Sequence, residues 1–129
     1  MTVSTAQKIT ALYLSRNDID FRNSDEAIQQ TITLLFSGGL NSAWVYTGTT
    51  RSYINLGGLL AIKPNLNRRI YAIIYVDYSD EYNIDFVHVG EVAEIIEHQS
   101  GIYLDVLAAE YEHMYDEYVN VEQGGFIRI

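Results

Sequence analysis

Hydrophobic residues recur at helical spacing near both ends of the chain, whereas the middle of the chain carries short apolar runs typical of strands. In the first segment, Ser4 and Gln7 match a capping box, in which each side chain bonds a free backbone N–H of the other residue. The apolar positions that follow, Ile9 and Leu12 among them, keep helical spacing. This segment therefore predicts a helix over residues 5–16.

A second helix is predicted over residues 25–36, where Ser24 supplies the N-cap and acidic residues follow it in the first turn. Gly38 and Gly39 are suited to the left-handed conformation that ends many helices. Residues 31–36 are also β-branched and apolar enough to form a strand, so that alternative stays open.

Between residues 41 and 89, aromatic and β-branched runs alternate with turn residues, a pattern typical of an antiparallel sheet. Strands are predicted over 43–47, 52–56, 59–62, 69–78 and 83–89. We expect the first two to pair through a turn at 48–50. The run over 69–78 is apolar almost throughout, which predicts a central strand covered on both faces. In the last run, alternation predicts that Asp85 faces one side of the sheet and Phe86 the other.

The last third of the chain, residues 91–122, predicts one or two amphipathic helices whose outer face is acidic. At ~100° per residue, the apolar stripe of its second half comprises Leu104, Leu107, Ala108, Tyr111, Tyr115 and Tyr118. In its first half, Val92, Ile95 and Ile96 are predicted to point inward. The pair at 100–101, Ser-Gly, is expected to separate two helices or to kink one.

The order of these elements predicts the α+β class, with two N-terminal helices, a central antiparallel sheet of about four or five strands, and an acidic C-terminal helix or helix pair packed on the sheet. The chain of 129 residues is expected to form one domain, 1–129. It has no cysteine, which excludes disulfides and thiolate metal sites. The longest apolar run, Ile70 to Val76, is far short of the ~20 residues that a membrane span needs, and no signal peptide is recognisable. We expect a cytoplasmic protein that does not enter membranes.

Charge changes this picture, because the net charge of −9 is unevenly distributed. Residues 1–69 carry a net charge of +3, and residues 70–129 carry −12. The negative electrostatic field of residues 70–129 argues against direct nucleic-acid binding, since phosphate binding needs a surface rich in lysine and arginine. The acidic half instead favours a basic partner, although an acidic surface also serves solubility alone.

Residues 37–42, SGGLNS, resemble the SGGxDS phosphate loop of the ATP-pyrophosphatase family, in which backbone amides between a strand and a helix hold phosphate. Asn41 stands where the family has an acidic residue, and the residues that follow, AWVYT, indicate a strand rather than a helix. We therefore interpret the segment as a helix C-cap or a turn, and we predict no cofactor.

The three histidines and the acidic hairpin around Asp77 supply the candidate chemistry. His88 lies on the strand face shared with Phe86 and is expected to be half-buried, whereas His98 and His113 are expected to be solvated. The spacing of these groups matches no metal site, so no metal ligand and no catalytic residue is predicted. A small enzyme that uses His88 and nearby aspartates is the least favoured alternative.

The sequence favours a non-enzymatic protein-binding module that engages a basic surface, such as one that binds nucleic acid, on a partner protein. The sharpest form of this hypothesis is a nucleic-acid mimic from a mobile element, such as a viral anti-CRISPR protein or another inhibitor of a nuclease, whose carboxylates stand in for phosphates. The predicted partner-binding residues are Asp77, Asp80, Glu81, Asp85, Glu91, Glu94, Glu97, Glu110, Glu112, Asp116, Glu117, Tyr78 and Tyr82. The two tyrosines are included because tyrosine is enriched in interfaces. The structural alternative is an assembly subunit of a homo-oligomer, which includes a homodimer.

Overall fold

The computed structural model describes residues 2–33, 42–49, 52–65 and 69–119. Its helices are α1 (Val3–Tyr13), α2 (Phe21–Ile32), α3 (Ser42–Tyr46) and α4 (Leu107–Val119), the last preceded by a 3-10 helix over Leu104–Val106. Its strands are β1 (Tyr53–Asn55), β2 (Leu60–Ile62), β3 (Ile70–Val76), β4 (Tyr82–Val89) and β5 (Ala93–Ile102). The predicted α+β class is confirmed, with N-terminal helices, a central sheet and a C-terminal helix packed on it. Among the described helices, none is long and apolar enough to cross a membrane.

The five strands form one antiparallel sheet whose spatial order, β1-β2-β3-β4-β5, follows the chain. β3 and β4 form an unbroken ladder that runs from Ile70 opposite His88 to Val76 opposite Tyr82. Every residue of β3 is buried except Tyr71, which is half-buried. The prediction of a central strand covered on both faces is therefore confirmed.

Each face of the sheet packs against its own layer of helices. The larger core lies beneath α2, α3 and α4, where Ile28, Trp44 and Tyr111 meet even-numbered side chains of β3 and β4. The smaller core lies beneath α1, where Ile9 and Tyr13 meet odd-numbered side chains of the same strands. Neighbouring residues of β4 thus face opposite cores, which confirms the alternation predicted for that strand.

Both N-terminal helices begin earlier than predicted, because different residues cap them. The side chain of Thr2 accepts a hydrogen bond from the Thr5 backbone N–H at 3.1 Å and begins α1, so the predicted Ser4 cap is wrong. Asp20 caps α2 in the same way, through the backbone N–H of Asn23 at 3.4 Å. Each cap satisfies one of the free N–H groups in the first turn of its helix.

Ser24, predicted as the N-cap of α2, instead lies inside that helix and joins it to the sheet. Its buried hydroxyl donates to the Gly58 carbonyl at 2.6 Å and accepts from the Val76 N–H at 3.0 Å. The backbone of Gly58 lies close to α2, because a Cβ at this position would be 2.7 Å from the Phe21 carbonyl oxygen. Gly58 also has a φ of +111°, a conformation that side chains rarely adopt. Glycine is therefore required at this turn, and Ser24 satisfies two backbone groups that burial would otherwise leave unpaired.

Residues 43–47 were expected to form a strand, but the chain is helical there up to Tyr46. Trp44 is fully buried and stacks on Tyr111 of α4, with ring centroids 4.9 Å apart. Burial at the first, second and fifth positions of this segment follows helical spacing, whereas Val45 and Tyr46 are exposed. The strand prediction is therefore wrong, and β1 pairs with β2 instead.

The predicted helix in the first half of the acidic region is also wrong, because residues 93–102 form strand β5, which pairs with β4. Phe86 lies opposite Glu97, but the next residue of β4 lies opposite Ile95, so Ile96 is an extra residue in β5, a β-bulge. The bulge shifts the alternation by one position and imitates helical spacing in the sequence. Pairing prevails because β4, buried on both faces, would otherwise keep a row of backbone groups without partners.

The second half of the acidic region is helical as predicted, and α4 buries Leu107, Tyr111 and Tyr115. Leu104 lies in the 3-10 helix and is 38 % exposed, so it does not belong to the buried stripe. Gly101 lies within β5, with a φ of +67°, rather than between two helices.

Several predicted features lie outside the described residues. They are the strand alternative for 34–36, the C-cap at 38–39, the SGGLNS loop up to Asn41, and Glu122 at the end of the acidic region. Within the described part of the chain, α2 is helical to Ile32.

Replacement of Ser24 by alanine is expected to lower the free energy of unfolding by about 2 kcal/mol, because two buried backbone groups lose their partner. Ser4→Ala is the matched control, since Ser4 is exposed on α1 and the high helix propensity of alanine limits the change to roughly 0.5 kcal/mol in either direction. Urea unfolding of both variants measures the difference. A loss in Ser4→Ala as large as that in Ser24→Ala would contradict the observed caps.

Candidate interaction surface

Helix α4 presents the largest part of the predicted acidic surface, because its other side packs into the larger core. Its outward carboxylates are Glu110, Glu112, Asp116 and Glu117. The side chain of Glu117 is 65 % exposed and lies 3.3 Å from His113 Nε2. Asp116 accepts a hydrogen bond from the Tyr46 hydroxyl of α3 at 2.9 Å, and this bond raises the pKa of Tyr46.

Strand β5 adds two carboxylates to the same side of the sheet. Glu97 lies opposite Phe86, and Glu94 lies opposite His88. Residues directly opposite each other share a face of the sheet, and Phe86 packs edge-on against Tyr118 of α4. Glu94 and Glu97 therefore lie on the face that α4 covers. We call the following six carboxylates the acidic strip: Glu94, Glu97, Glu110, Glu112, Asp116 and Glu117.

The acidic strip carries its charge without internal neutralisation. None of its members has a lysine or arginine within 4.0 Å in the described part of the chain. Glu112 and Asp116 are like charges at i and i+4 on a helix, which costs ~0.2–0.5 kcal/mol. Asp116 and Glu117 also lie at the negative end of the helix dipole, which costs ~0.3–1 kcal/mol each at low salt. The described part of the fold tolerates these small penalties and offers no lysine or arginine to offset them.

The carboxylates of the β3–β4 hairpin, by contrast, are used by the turn itself. Asp77 Oδ1 accepts from the Ser79 N–H at 2.8 Å, and its Oδ2 accepts from the Asn83 amide at 2.9 Å. Asp80 has a φ of +57° and accepts from the Asn23 amide at 3.0 Å. These contacts give Asp77 a role in shaping the turn, and they join Asp80 to helix α2.

The remaining predicted contact residues differ in exposure. Glu91 is exposed in the β4–β5 turn, Glu81 is half-buried before β4, and Tyr78 is 65 % exposed. Tyr82 is 9 % exposed, and its hydroxyl hydrogen-bonds to that of Thr31 at 2.7 Å. Its predicted place in an exposed contact surface is therefore wrong.

Asp85 is the predicted contact residue that lies deepest, with no exposed surface. Tyr13 donates to its Oδ2 at 2.6 Å, and His98 Nδ1 hydrogen-bonds to its Oδ1. Burial of a carboxyl group is costly unless the group is hydrogen-bonded, and these two partners offset the cost. The prediction that Asp85 contacts a partner protein is therefore wrong, and its role is to join α1, β4 and β5.

The surroundings of Asp85 shift the ionisation of two tyrosines. Burial, followed by the charge of Asp85, raises the pKa of Tyr13 well above its ordinary value of 10. Burial and the same carboxyl group also raise the pKa of Tyr75. Arg16 lies over both rings, 5.6 and 5.7 Å from their centroids, and pairs with Asp18 at 2.6 Å. The hydrogen bond from Arg16 lowers the pKa of Asp18, which keeps this ion pair charged.

The three histidines occupy three different environments. His88 is exposed near the end of β4, so the prediction that it is half-buried is wrong. The side chain of His98 is 46 % exposed but pairs with Asp85, which the prediction of a solvated histidine missed. His113 is solvated as predicted. Within the described residues, no group of three histidine, aspartate or glutamate side chains could hold a metal ion.

The pairing of Asp85 with His98 had a signal in the sequence that the helix prediction for β5 obscured. Antiparallel pairing through the turn at 90–92 brings Asp85 within one residue of His98, and the bulge at Ile96 supplies the remaining shift. A lone carboxylate in an otherwise apolar strand then indicates a need for a hydrogen-bonding partner across the strand.

The chain matches no protein-family model, no curated protein and no solved structure with which it was compared. Its function is inferred from its own geometry and charge.

The raised pKa of Tyr13 predicts a specific loss of stability at alkaline pH. The unfolded chain ionises Tyr13 near the ordinary pKa of 10, whereas the folded protein keeps its hydroxyl protonated. The associated stability is therefore complete below pH ~10 and is lost as the pH rises toward the folded-state pKa, at up to ~1.4 kcal/mol per pH unit. The slope of the unfolding free energy against pH gives the number of protons released on unfolding. Tyr13→Phe should lower this number by up to one, as measured by urea unfolding between pH ~10 and ~12.

Tyr103→Phe is the control for this experiment, because it removes a hydroxyl from a side chain that is 67 % exposed. It should retain the wild-type slope. The two variants are compared by the slope of the unfolding free energy against pH. A loss of stability that is the same at every pH does not change this slope. Equal slopes in the two variants would show that Tyr13 ionises freely in the folded protein.

Proposed function

We propose that the protein is a non-enzymatic binding module whose acidic strip engages a basic surface of a partner protein. The observation that supports this proposal is the gathering of six carboxylates on one side of the sheet, without a lysine or arginine partner among the described residues. Uncompensated charge of one sign attracts an oppositely charged partner and speeds its association. The strip accepts electrostatic penalties that a cationic partner would remove.

Glu110 and Glu117 form the centre of the proposed contact. They are seven residues apart on α4, which places them within about 20° of each other around the helix. Tyr46 of α3 contacts the helix at Asp116 instead. Glu94 and Glu97 of β5 lie on the same face of the sheet and extend the contact beyond the helix.

The specific form that we propose is a nucleic-acid mimic from a mobile element that acts in the cytoplasm. It would inhibit a nuclease or a CRISPR effector by occupying the groove that binds nucleic acid. Arginine binds carboxylate and phosphate with the same fork of N–H donors, so a groove built for phosphates also accepts carboxylates. Rigid elements such as α4 and β5 hold the carboxylates in a fixed arrangement, which limits the entropy lost on binding.

The test compares two double variants that change the net charge equally. Glu110→Gln with Glu117→Gln removes two charges from the acidic strip, whereas Glu26→Gln with Glu81→Gln removes two charges elsewhere. We expect about 10-fold weaker binding for the first variant and little change for the second, because local complementarity decides the electrostatic gain. A labelled polyarginine peptide serves as the probe, at ionic strengths of ~0.01 and ~0.15 M.

Wild-type binding should weaken between these ionic strengths, because the Debye length falls from roughly 30 to 8 Å. A partner captured from a host lysate should be released by duplex DNA if its basic surface is a nucleic-acid groove. Equal losses in the two double variants would assign the binding to net charge alone and contradict a role for the acidic strip.

Self-association through β5 is the second candidate function, and apolar exposure around that strand favours it. Large apolar side chains that are at least one-third exposed there are Val92, Ile95, Ile96, Tyr103, Leu104 and Val106. β5 is the last strand of the described sheet, so its outer edge offers backbone groups for pairing. Against this function, the bulge interrupts the edge, and a second copy would bring Glu94 and Glu97 near like charges.

The two functions differ in the sign of their salt dependence. Added salt weakens binding between the acidic strip and a cation, but it strengthens a β5 dimer because it screens the carboxylates of the two copies. Sedimentation equilibrium at both ionic strengths measures the dimer, and Ile95→Lys should return it to monomers. A monomer at every concentration would exclude the second function.

A further inference from the structure

The face of the sheet opposite the acidic strip carries basic side chains. Lys8 and Arg16 belong to α1, and Arg69 precedes β3 at a position that shares its face with Tyr71. Arg16 is paired with Asp18 at 2.6 Å. Neither Lys8 nor Arg69 has a carboxylate within 4.0 Å in the described ranges. These two cations remain available to a ligand.

Lys8 and Arg69 meet at a pocket of about 270 Å³, at the end of the sheet where β4 turns into β5. The residues that line the pocket are Thr5, Lys8, Arg69, Tyr71, Val89 and Gly90. Helix α1 forms one wall, and the start of β3 and the end of β4 form the other. The volume lies just below the ~300–1,000 Å³ that is typical of ligand sites, so it suits a small ligand.

Two side chains of α1 keep free donors in this pocket. The Lys8 ammonium donates to the Gly90 carbonyl at 2.7 Å, which holds the side chain against the turn. An ammonium group has three N–H donors, so two remain for a ligand. Thr5 accepts a hydrogen bond from the Thr2 hydroxyl at 3.0 Å and therefore retains its own hydroxyl hydrogen as a donor.

Arg69 is fixed at its backbone, whereas its side chain has no polar partner among the described residues. Its carbonyl oxygen accepts from the Val89 N–H at 2.9 Å, which extends the β3–β4 ladder by one hydrogen bond. Its guanidinium makes no hydrogen bond or ion pair with the described part of the chain. The planar fork of N–H donors is thus available, in the geometry that binds an oxyanion through two parallel bonds.

We propose that this pocket binds the phosphate group of a small phosphate monoester. Such a group carries close to two negative charges at neutral pH and has three acceptor oxygens. Lys8 and Arg69 supply two positive charges to match it. Together with Thr5, they also supply more N–H and O–H donors than the two oxygens of a carboxylate ligand would use, which favours phosphate as the ligand. In a chain of net charge −9, solubility alone does not account for two cations that line one pocket and have no carboxylate partner among the described residues. The pocket does not involve the acidic strip, so it is independent of the partner proposed above.

Inorganic phosphate is the probe for this proposal, added at neutral pH and at constant ionic strength set by chloride. The backbone amide signals of Thr5 and Gly90 should shift and saturate in two-dimensional NMR spectra. Lys8→Gln and Arg69→Gln should each raise the Kd by about 10-fold or more, because each removes charge-assisted hydrogen bonds. Among the described residues, the Arg69 side chain has no hydrogen bond or ion pair to lose, so its variant tests the contact with the ligand.

Arg22→Gln is the matched control, because it makes the same charge change at an exposed position of α2 outside the pocket. It should leave the Kd unchanged, and acetate should bind more weakly than phosphate in every variant. Shifts that never saturate, or an equal loss in Arg22→Gln, would overturn the pocket as a phosphate site. Equal affinity for acetate would overturn the assignment of the phosphate class.

Discussion

The ladder between β3 and β4 is the constraint on which the rest of the structure depends. Both strands are buried on both faces, so the chain needs a layer of helices on each side of the sheet. Helix α1 meets this need on one face, and α2, α3 and α4 meet it on the other. Because successive residues point to opposite faces, the ladder also decides which side of the molecule each neighbouring charge reaches.

A carboxyl group within that ladder ties three elements together. Among the described residues, Asp85 is the only carboxyl group that is fully buried, and Tyr13 and His98 bond its two oxygens. An apolar residue at this position would leave α1 to pack on β4 through contact area, which tolerates small shifts along the strand. Hydrogen bonds are directional, so these two fix the position of α1 over β4 and the register of β5 beyond its bulge.

Strong local periodicity explains what could be predicted from the sequence. The apolar run of β3, the alternation of β4 and the apolar stripe of α4 each matched one repeating pattern, and they sufficed for the fold class and for the α4 part of the acidic strip. β5 could not be recognised, because the extra residue Ile96 disrupts its alternation. The role of Ser24 could not be foreseen either, since its partners Gly58 and Val76 lie 34 and 52 residues away. Both failures concern contacts that only the assembled sheet creates.

The sheet also keeps the two proposed sites electrostatically separate. The acidic strip and the pocket at Lys8 and Arg69 lie on opposite faces, so the sheet itself separates them. Packed layers are spaced roughly 10 Å apart, which sets the scale of this separation. The Debye length at physiological ionic strength is ~8 Å, so salt weakens the field of the strip before it reaches the pocket through solvent. The proposed binding of a cationic partner on one face is therefore compatible, in a chain with a net charge of −9, with the proposed binding of an anion on the other.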